Sequence, residues 1–151
     1  MPRLQDSIHI LRPPEAVFDI TQDYSRRLEW DTFLVKAELL GGAPRAAVGV
    51  RAWCVAHNGL GMETEYVSFR PPRVAAVKMT RGPWLFKDFA GSWNFREAAG
   101  GTEVVFVYAY ALRFPFVLFG AFARRRLQRE VRQRLLDLKA YLEGAEPSGG
   151  R

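Results

Sequence analysis

Few side chains in this sequence could carry out chemistry, and they are scattered along the chain. There are two histidines, His9 and His57, and one cysteine, Cys54, so these residue types can form neither an internal disulfide nor a metal framework. His57 could act as a general base near neutral pH. However, it stands beside Asn58 and Gly59 in a turn, where a histidine is normally exposed. The sequence therefore assigns no catalytic residue, no metal and no cofactor.

Three tyrosines could act in binding. Tyr66, Tyr108 and Tyr110 could orient the carbonyl or phenol group of a ligand, although core tyrosines with a satisfied hydroxyl are at least as common. No Ser-His-Asp or Cys-His arrangement can be assembled from the sequence. This lack of paired titratable groups favours a binding protein over an enzyme and leaves the enzyme as an alternative.

The composition is typical of one globular domain. The chain has 151 residues, of which 48% are hydrophobic and 13% aromatic, which suggests a bulky core or an aromatic-lined pocket. Its net charge of +6 is consistent with an ordinary solvated surface or with contact to an anionic membrane. The arginines follow no groove-reading or base-stacking motif, so we expect no nucleic-acid partner.

A long amphipathic helix over residues 116–143 is the element that must position the candidate side chains. At about 1.5 Å per residue it would be roughly 40 Å long. Its apolar stripe recurs every three or four residues, at Phe119, Ala123, Leu127, Val131, Leu135, Leu138 and Leu142. Arginines and Lys139 on the other side are expected to face water. We expect Val131 to Leu142 to be plain core and Phe116 to Leu127 to be one wall of a cavity.

The residues before this helix predict mainly strands. A strand over residues 5–12 is followed by two short helices, which begin at Pro14 and Asp23. Six strands of alternating polarity then follow between residues 34 and 113, separated by glycine and proline turns. The predicted fold class is α+β: a strongly curved antiparallel sheet of about seven strands wrapped around the long C-terminal helix.

The sequence also predicts how the chain is divided and where it works. Residues 1–143 form one domain, and residues 144–151 form a disordered tail rich in Gly, Ser and Pro. Residues 104–123 are largely apolar, but Pro115 and the change from strand to helix pattern argue against a membrane span. The first twelve residues lack the apolar core of a secretory signal. We therefore expect a cytoplasmic protein that is a monomer or a homodimer.

At this level of detail the chain resembles the helix-grip proteins of the START, pollen-allergen and polyketide cyclase superfamily, known as SRPBCC. The matching motifs run through about residues 4–143: Ile8-His9-Ile10, Pro13-Pro14-Glu15-Ala16-Val17-Phe18, Asp23, Trp30-Asp31, Gly49-Val50-Arg51, Phe69-Arg70-Pro71-Pro72-Arg73, Gly91-Ser92-Trp93-Asn94-Phe95, Gly101-Thr102-Glu103-Val104 and Leu135 to Leu142. The resemblance implies the helix-grip fold and a cavity between sheet and helix. Members bind lipids, sterols, hormones or polyketides, and some catalyse cyclisation or dehydration. They share no catalytic signature that could be carried over to this chain.

Strand alternation and the helix stripe predict which side chains face this cavity. They are mostly apolar with a few hydroxyls, as a pocket for a hydrophobic ligand requires, and small residues lie among large ones. The predicted lining is Val50, Ala52, Cys54, Met62, Thr64, Tyr66, Val77, Met79, Phe89, Trp93, Tyr108, Tyr110, Phe119, Phe122, Ala123 and Leu127.

The leading hypothesis is a protein that binds a hydrophobic small molecule, lipid-like, aromatic or polyketide-like. The first alternative is a cyclase or dehydratase, which requires an inward His, Asp or Glu near Tyr66, Tyr108 or Trp93. The second is a protein that recognises lipid at an anionic membrane surface through Phe116 to Arg126.

Overall fold

A seven-stranded antiparallel sheet forms the body of the molecule in the computed structural model, which describes residues 2–144. The strands are β1 (Arg3–Ile10), β2 (Leu34–Leu39), β3 (Arg51–Ala56), β4 (Gly61–Arg70), β5 (Val74–Arg81), β6 (Phe86–Ala98) and β7 (Gly101–Leu112). Their order across the sheet is β1-β7-β6-β5-β4-β3-β2. Six strands therefore form a meander, and β1 pairs with the last strand to make one edge.

Three helices complete the fold of residues 2–144: α1 (Pro14–Gln22), α2 (Arg27–Trp30) and α3 (Gly120–Gly144). Short 3-10 turns at Tyr24–Arg26 and Phe116–Phe119 precede α2 and α3. The predicted fold class is confirmed, with the difference that the first turn of the long helix is a 3-10 turn. Gly144 ends α3, and residues 145–151 of the predicted tail lie outside the described residues.

Local sequence explains the short helices. Pro13 is the N-cap of α1 and Pro14 its first residue, a position where the missing N–H and fixed φ of proline are compatible with a helix. Val17 and Phe18 are buried on its inner face. The Asp23 side chain accepts a hydrogen bond from the Ser25 backbone N–H at 3.1 Å, which caps the turn leading to α2.

The strand pairing among the described residues is irregular at four places. The strand pairing shifts register between Leu34 and Lys36, between Glu63 and Thr64, between Tyr66 and Ser68, and between Phe86 and Asp88. Gly91 lies instead in regular pairing, opposite Val77 and Tyr108. A Cβ atom there would stand 3.4 Å from the Tyr108 ring. The bulges bend the sheet, and Gly91 leaves room for an aromatic neighbour.

Polar side chains of α3 cover the free edge of β1. They donate to alternate backbone carbonyls of the strand: Arg124 to Arg3 (2.9 Å), Gln128 to Gln5 (3.2 Å), Arg132 to Ser7 (3.4 Å) and Lys139 to His9 (2.6 Å). The expectation that Arg124, Arg132 and Lys139 face only water is therefore wrong. From Arg124 to Arg132 a step of four residues along the helix matches a step of two along the strand, and Lys139, seven residues further on, reaches the next carbonyl. These side chains protect an edge that could otherwise pair with another chain.

The apolar stripe in the second half of α3 packs in the core, as predicted, whereas Arg134 in the same half is a buried charge. Val131, Leu135 and Leu138 are fully buried, together with Val17 of α1 and Val104 of β7. Among residues 2–144, no helix has the length and the apolar composition needed to cross a membrane.

Candidate ligand cavity

A cavity of about 660 Å³ lies between the concave face of the sheet and the first half of α3. This volume is within the range of small-molecule sites. Its wall is mainly apolar and aromatic, with Trp93 and Phe106 stacked at 4.3 Å between ring centroids. The ring of Phe89 packs edge-on against that of Tyr108 at 4.7 Å. In these contacts the aromatic rings pack against one another in the wall and leave the cavity open.

Twelve of the sixteen predicted lining residues do line this cavity. They are Cys54, Met62, Thr64, Tyr66, Val77, Phe89, Trp93, Tyr108, Phe119, Phe122, Ala123 and Leu127. Gly91, beside Trp93 in the sequence, lines it as well. That any of these residues binds a ligand stays a prediction.

The other four predicted residues lie outside the cavity wall. Ala52 is fully buried and Val50 packs against the core. The Met79 side chain lies against Gly82 at the end of β5. Tyr110 is buried behind Phe86, whose ring lies 6.4 Å from it and lines the cavity in its place. Period-two alternation from Phe89 places Phe86 on the opposite face of β6, and the register shift between Phe86 and Asp88 brings it to the cavity face.

A buried charge cluster formed by Arg27, Asp31 and Arg134 is the main feature that the sequence did not predict. Asp31 Oδ2 accepts a hydrogen bond from Arg27 Nε at 2.9 Å and lies 3.2 Å from Arg134 Nε. The second contact is an ion pair without an aligned hydrogen bond. Arg27 and Arg134 both line the cavity, and each has less than a tenth of its surface exposed.

The charges in this cluster stabilise one another against burial. Burial alone would raise the pKa of Asp31, but Arg134 and Arg27 outweigh it and the pKa is lowered. Burial alone would lower the pKa of Arg27, but Asp31, together with Tyr24 and Cys54, outweighs burial, so this pKa is raised. The same balance raises the pKa of Arg134, with the Tyr108 hydroxyl and Asp31 opposing burial. All three side chains are therefore ionised at neutral pH.

A signal for Arg134 was present in the helix pattern. Arg134 follows Leu127 by seven positions and Val131 by three, which places it on the apolar stripe and not on the charged face. A charged residue on such a stripe must find a buried partner. The sequence does not reveal that partner, because Asp31 is 103 positions away and meets Arg134 only when α2 packs against α3.

Hydroxyl groups extend this polar wall. Arg134 Nη1 donates to the Tyr108 hydroxyl at 2.6 Å. The Tyr66 hydroxyl donates to Gln22 Oε1 at 2.5 Å and lies 3.3 Å from the Tyr24 hydroxyl. Burial raises the pKa of both Tyr66 and Tyr108, so these phenols are neutral near pH 7.

Glu130 is the carboxyl group on the cavity wall. It forms an ion pair with Arg126 at 3.7 Å. Burial raises its pKa, and the opposing effects of Arg134 and Arg126 are smaller. Glu130 can therefore gain or lose a proton nearer to neutral pH than an exposed glutamate does. The sequence prediction missed it because it reads as one more charge on a highly charged helix.

The remaining candidate residues have simpler positions. His57 is exposed in its turn and does not line the cavity. Cys54 does line it, and burial raises the pKa of its thiol, which disfavours the reactive thiolate. Within residues 2–144 no cluster of His, Cys, Asp and Glu side chains could hold a metal ion.

The cavity opens beside an exposed apolar collar, which we define as Trp84, Phe114, Val117, Leu118, Phe119 and Phe122. Phe119 and Phe122 also line the cavity. The Trp84 ring packs edge-on against Phe116 at 5.7 Å and has the Arg113 guanidinium 5.7 Å from its centroid. These contacts join the β5–β6 turn to the segment before α3. Such a contiguous apolar surface is unusual for a monomer in water.

Comparison with known proteins assigns the family. The family model described as "Polyketide cyclase / dehydrase and lipid transport" matches residues 1–143. The chain belongs to this family. The predicted relationship to the START and polyketide cyclase superfamily is thereby confirmed, and the fold is one that binds hydrophobic ligands. Among curated proteins, none matches this chain.

Solved structures support the same fold. TTHA0849 from Thermus thermophilus superposes with a TM-score of 0.81 at 20% identity, covering 96% of this chain and 99% of its own. A START superfamily protein from Mycobacterium smegmatis gives 0.76 at 10% identity, with 95% and 98% covered. The di-domain ARO/CYC BexL of the BE-7585A biosynthetic pathway gives 0.74 at 22% identity, with 94% and 50% covered. This chain therefore corresponds to about half of BexL.

Proposed function

We propose that this protein binds a hydrophobic small molecule in the cavity between its sheet and α3. The observation that carries the proposal is the cavity itself: about 660 Å³ in volume, with a mainly apolar and aromatic wall. A core without a ligand role would be packed closely, because empty apolar volume costs stability. The family and the structural neighbours support the same class of ligand.

A cavity-filling substitution tests this proposal. Ala123 is half-buried on α3 and lines the cavity, so Ala123→Trp should occupy part of the ligand volume. The control is Ala140→Trp, at an exposed site on the same helix. The probe is pyrenebutanol, a neutral aromatic alcohol, titrated by fluorescence.

We expect Ala123→Trp to weaken probe binding about tenfold or more, equivalent to at least about 1.4 kcal/mol, and Ala140→Trp to leave it unchanged. Absence of probe binding by the unmodified protein would overturn the proposal. So would equal binding by the protein with and without Ala123→Trp.

A catalytic role of the cyclase or dehydratase kind has one specific observation in its favour. This alternative required an inward acid or base near Tyr66, Tyr108 or Trp93, and Glu130 meets the requirement on the same cavity wall as Tyr108. Its raised pKa suits proton transfer. The test is chromatographic detection of cyclised product from a poly-β-ketone chain released by a ketosynthase. Product should form with the protein and not with Glu130→Gln, and equal product with both would exclude Glu130.

Contact with an anionic membrane is the other alternative, and the collar favours it. Apolar side chains there stand beside Arg113 and the Arg124 to Arg126 run, a combination that suits a lipid surface. Arg125 is the cleanest site for a test, since Arg124 binds the Arg3 carbonyl and Arg126 pairs with Glu130. The protein should float with vesicles containing phosphatidylserine, and Leu118→Gln with Arg125→Glu should abolish this. Unchanged flotation would remove the proposal.

A further inference from the structure

The buried charge cluster carries more positive than negative charge. Arg27 and Arg134 are both buried, and Asp31 is the carboxylate that both of them contact. The Tyr108 hydroxyl also faces Arg134, but it is neutral because burial raises its pKa. One guanidinium charge is therefore unbalanced inside the protein. A buried charge is costly unless a counter-charge and hydrogen bonds compensate it.

Glu130 does not remove this excess of positive charge. It contributes one carboxyl group to the wall, but Arg126 contributes a further guanidinium and pairs with it at 3.7 Å. With Glu130 ionised, its charge acts on both Arg134 and Arg126, and the three guanidinium groups Arg27, Arg126 and Arg134 still outnumber the two carboxylates Asp31 and Glu130. With Glu130 protonated, which burial favours, the wall is more positive still. In either state the cavity offers a site for an anion.

The contacts of Arg134 show which of its nitrogen atoms could bind an anion. Its guanidinium uses Nη1 for Tyr108 at 2.6 Å and Nε for the ion pair with Asp31 at 3.2 Å. No hydrogen bond within residues 2–144 involves its Nη2 atom. Phe33 and Phe106 flank the guanidinium, 4.7 and 5.8 Å from their ring centroids, and Phe33, Phe106 and Arg134 all line the cavity. A planar donor held between aromatic rings suits a carboxylate, which accepts from a guanidinium in one plane.

We propose that the ligand is a hydrophobic monocarboxylic acid, whose carboxylate binds Arg134 and whose apolar body fills the aromatic part of the cavity. The proposal rests on the proposed binding function and narrows its ligand class. One carboxylate matches the one unbalanced guanidinium, and a second anion would again leave an excess of charge.

A pair of probes that differ only in charge tests the proposal. Pyrenebutyric acid and pyrenebutanol share one ring system and one chain length, and the acid is ionised at neutral pH. We expect the acid to bind about 10- to 100-fold more tightly, as a charge-assisted hydrogen bond of about 1.5–3 kcal/mol implies. Arg134→Gln should abolish this preference. The control Arg129→Gln removes the same charge from an exposed site on the same helix and should retain it.

The outcomes separate this inference from the proposed function. If neither probe binds, the proposed function fails, and the inference fails with it. Equal affinity for both probes would leave a hydrophobic site and overturn only the monocarboxylic acid. A preference for the acid that survives Arg134→Gln would overturn the assignment to Arg134. Should Arg134→Gln fail to fold, the affinity ratio of the unmodified protein still decides whether the cavity selects an anion.

Discussion

Replacing Asp31 by asparagine should be among the most destabilising isosteric changes in this protein. The Asp31 side chain is fully buried. Its Oδ2 lies 2.9 Å from Arg27 Nε and 3.2 Å from Arg134 Nε, and its Oδ1 accepts from the Phe33 backbone N–H at 3.1 Å. Asparagine keeps the shape and can keep the bond to Phe33. It removes the negative charge between two buried guanidinium groups.

The magnitude follows from the buried charges. One pair of unit charges at about 4 Å is worth about 4 kcal/mol at an effective dielectric constant of about 20, and desolvation offsets part of this gain. Removing one partner of a buried pair typically costs about 3–5 kcal/mol, because the remaining charge stays uncompensated. We expect a loss of this size in the free energy of unfolding, measured by equilibrium urea denaturation. The matched control Asp19→Asn, at an exposed site on α1, should change it by less than about 0.5 kcal/mol.

The pH dependence provides a second readout. Because the pKa of Asp31 is lowered in the folded protein, the unfolded chain binds its proton more readily. The stabilisation by Asp31 is thus complete above the ordinary aspartate pKa and is lost as pH falls through the lower folded pKa. The stability difference between the unmodified protein and Asp31→Asn should therefore shrink on acidification. A loss below about 1 kcal/mol at neutral pH, or a difference that grows in acid, would refute the described coupling.

Three further predictions concern α3. Glu130→Gln should raise the free energy of unfolding at alkaline pH and leave it unchanged in acid. The pKa of Glu130 is raised in the folded protein, so ionisation of this carboxyl group lowers stability as the pH rises through the folded pKa. The same effect of Glu130→Gln at both pH values would contradict this explanation. Leu138→Ala should cost about 2–5 kcal/mol in urea denaturation without weakening pyrenebutanol binding, since Leu138 is fully buried away from the cavity wall. Phe122 is exposed and also lines the cavity. Phe122→Ala should therefore change the free energy of unfolding by less than about 1 kcal/mol and weaken pyrenebutanol binding. Similar effects of both substitutions would show that α3 is not divided into a core half and a cavity half.

The structure of α3 was largely predictable from the spacing of its apolar residues. The three- and four-residue spacing of its apolar stripe predicted both the helix and the burial of Val131, Leu135 and Leu138. Helix periodicity is a local property, so one sequence is enough to detect it. The same argument applies to strand alternation, which placed most of the cavity wall correctly and missed Phe86, which a register shift in β6 brings to the cavity face.

Sequence pattern does not predict polar contacts between distant segments of the chain. The helix side chains that cover β1, such as Lys139 on the His9 carbonyl, read in the sequence as a solvated face. Charge pattern identifies a polar side of a helix, and only the packing of the helix against the sheet edge decides which of those residues face protein. For the same reason the sequence did not distinguish Glu130, which lines the cavity, from the other charged residues of α3.

The sequence alone determined the fold class, the family resemblance and a hydrophobic lining, because these depend on local periodicity and turn chemistry. Tertiary structure alone decided the charge of the cavity. Arg27, Asp31 and Arg134 come together only when α2 packs on α3, and their pKa values depend on burial and on mutual distance, which no spacing along the chain specifies. The hydrophobic character of the site is thus encoded locally, whereas the buried charges on its wall come together through long-range packing.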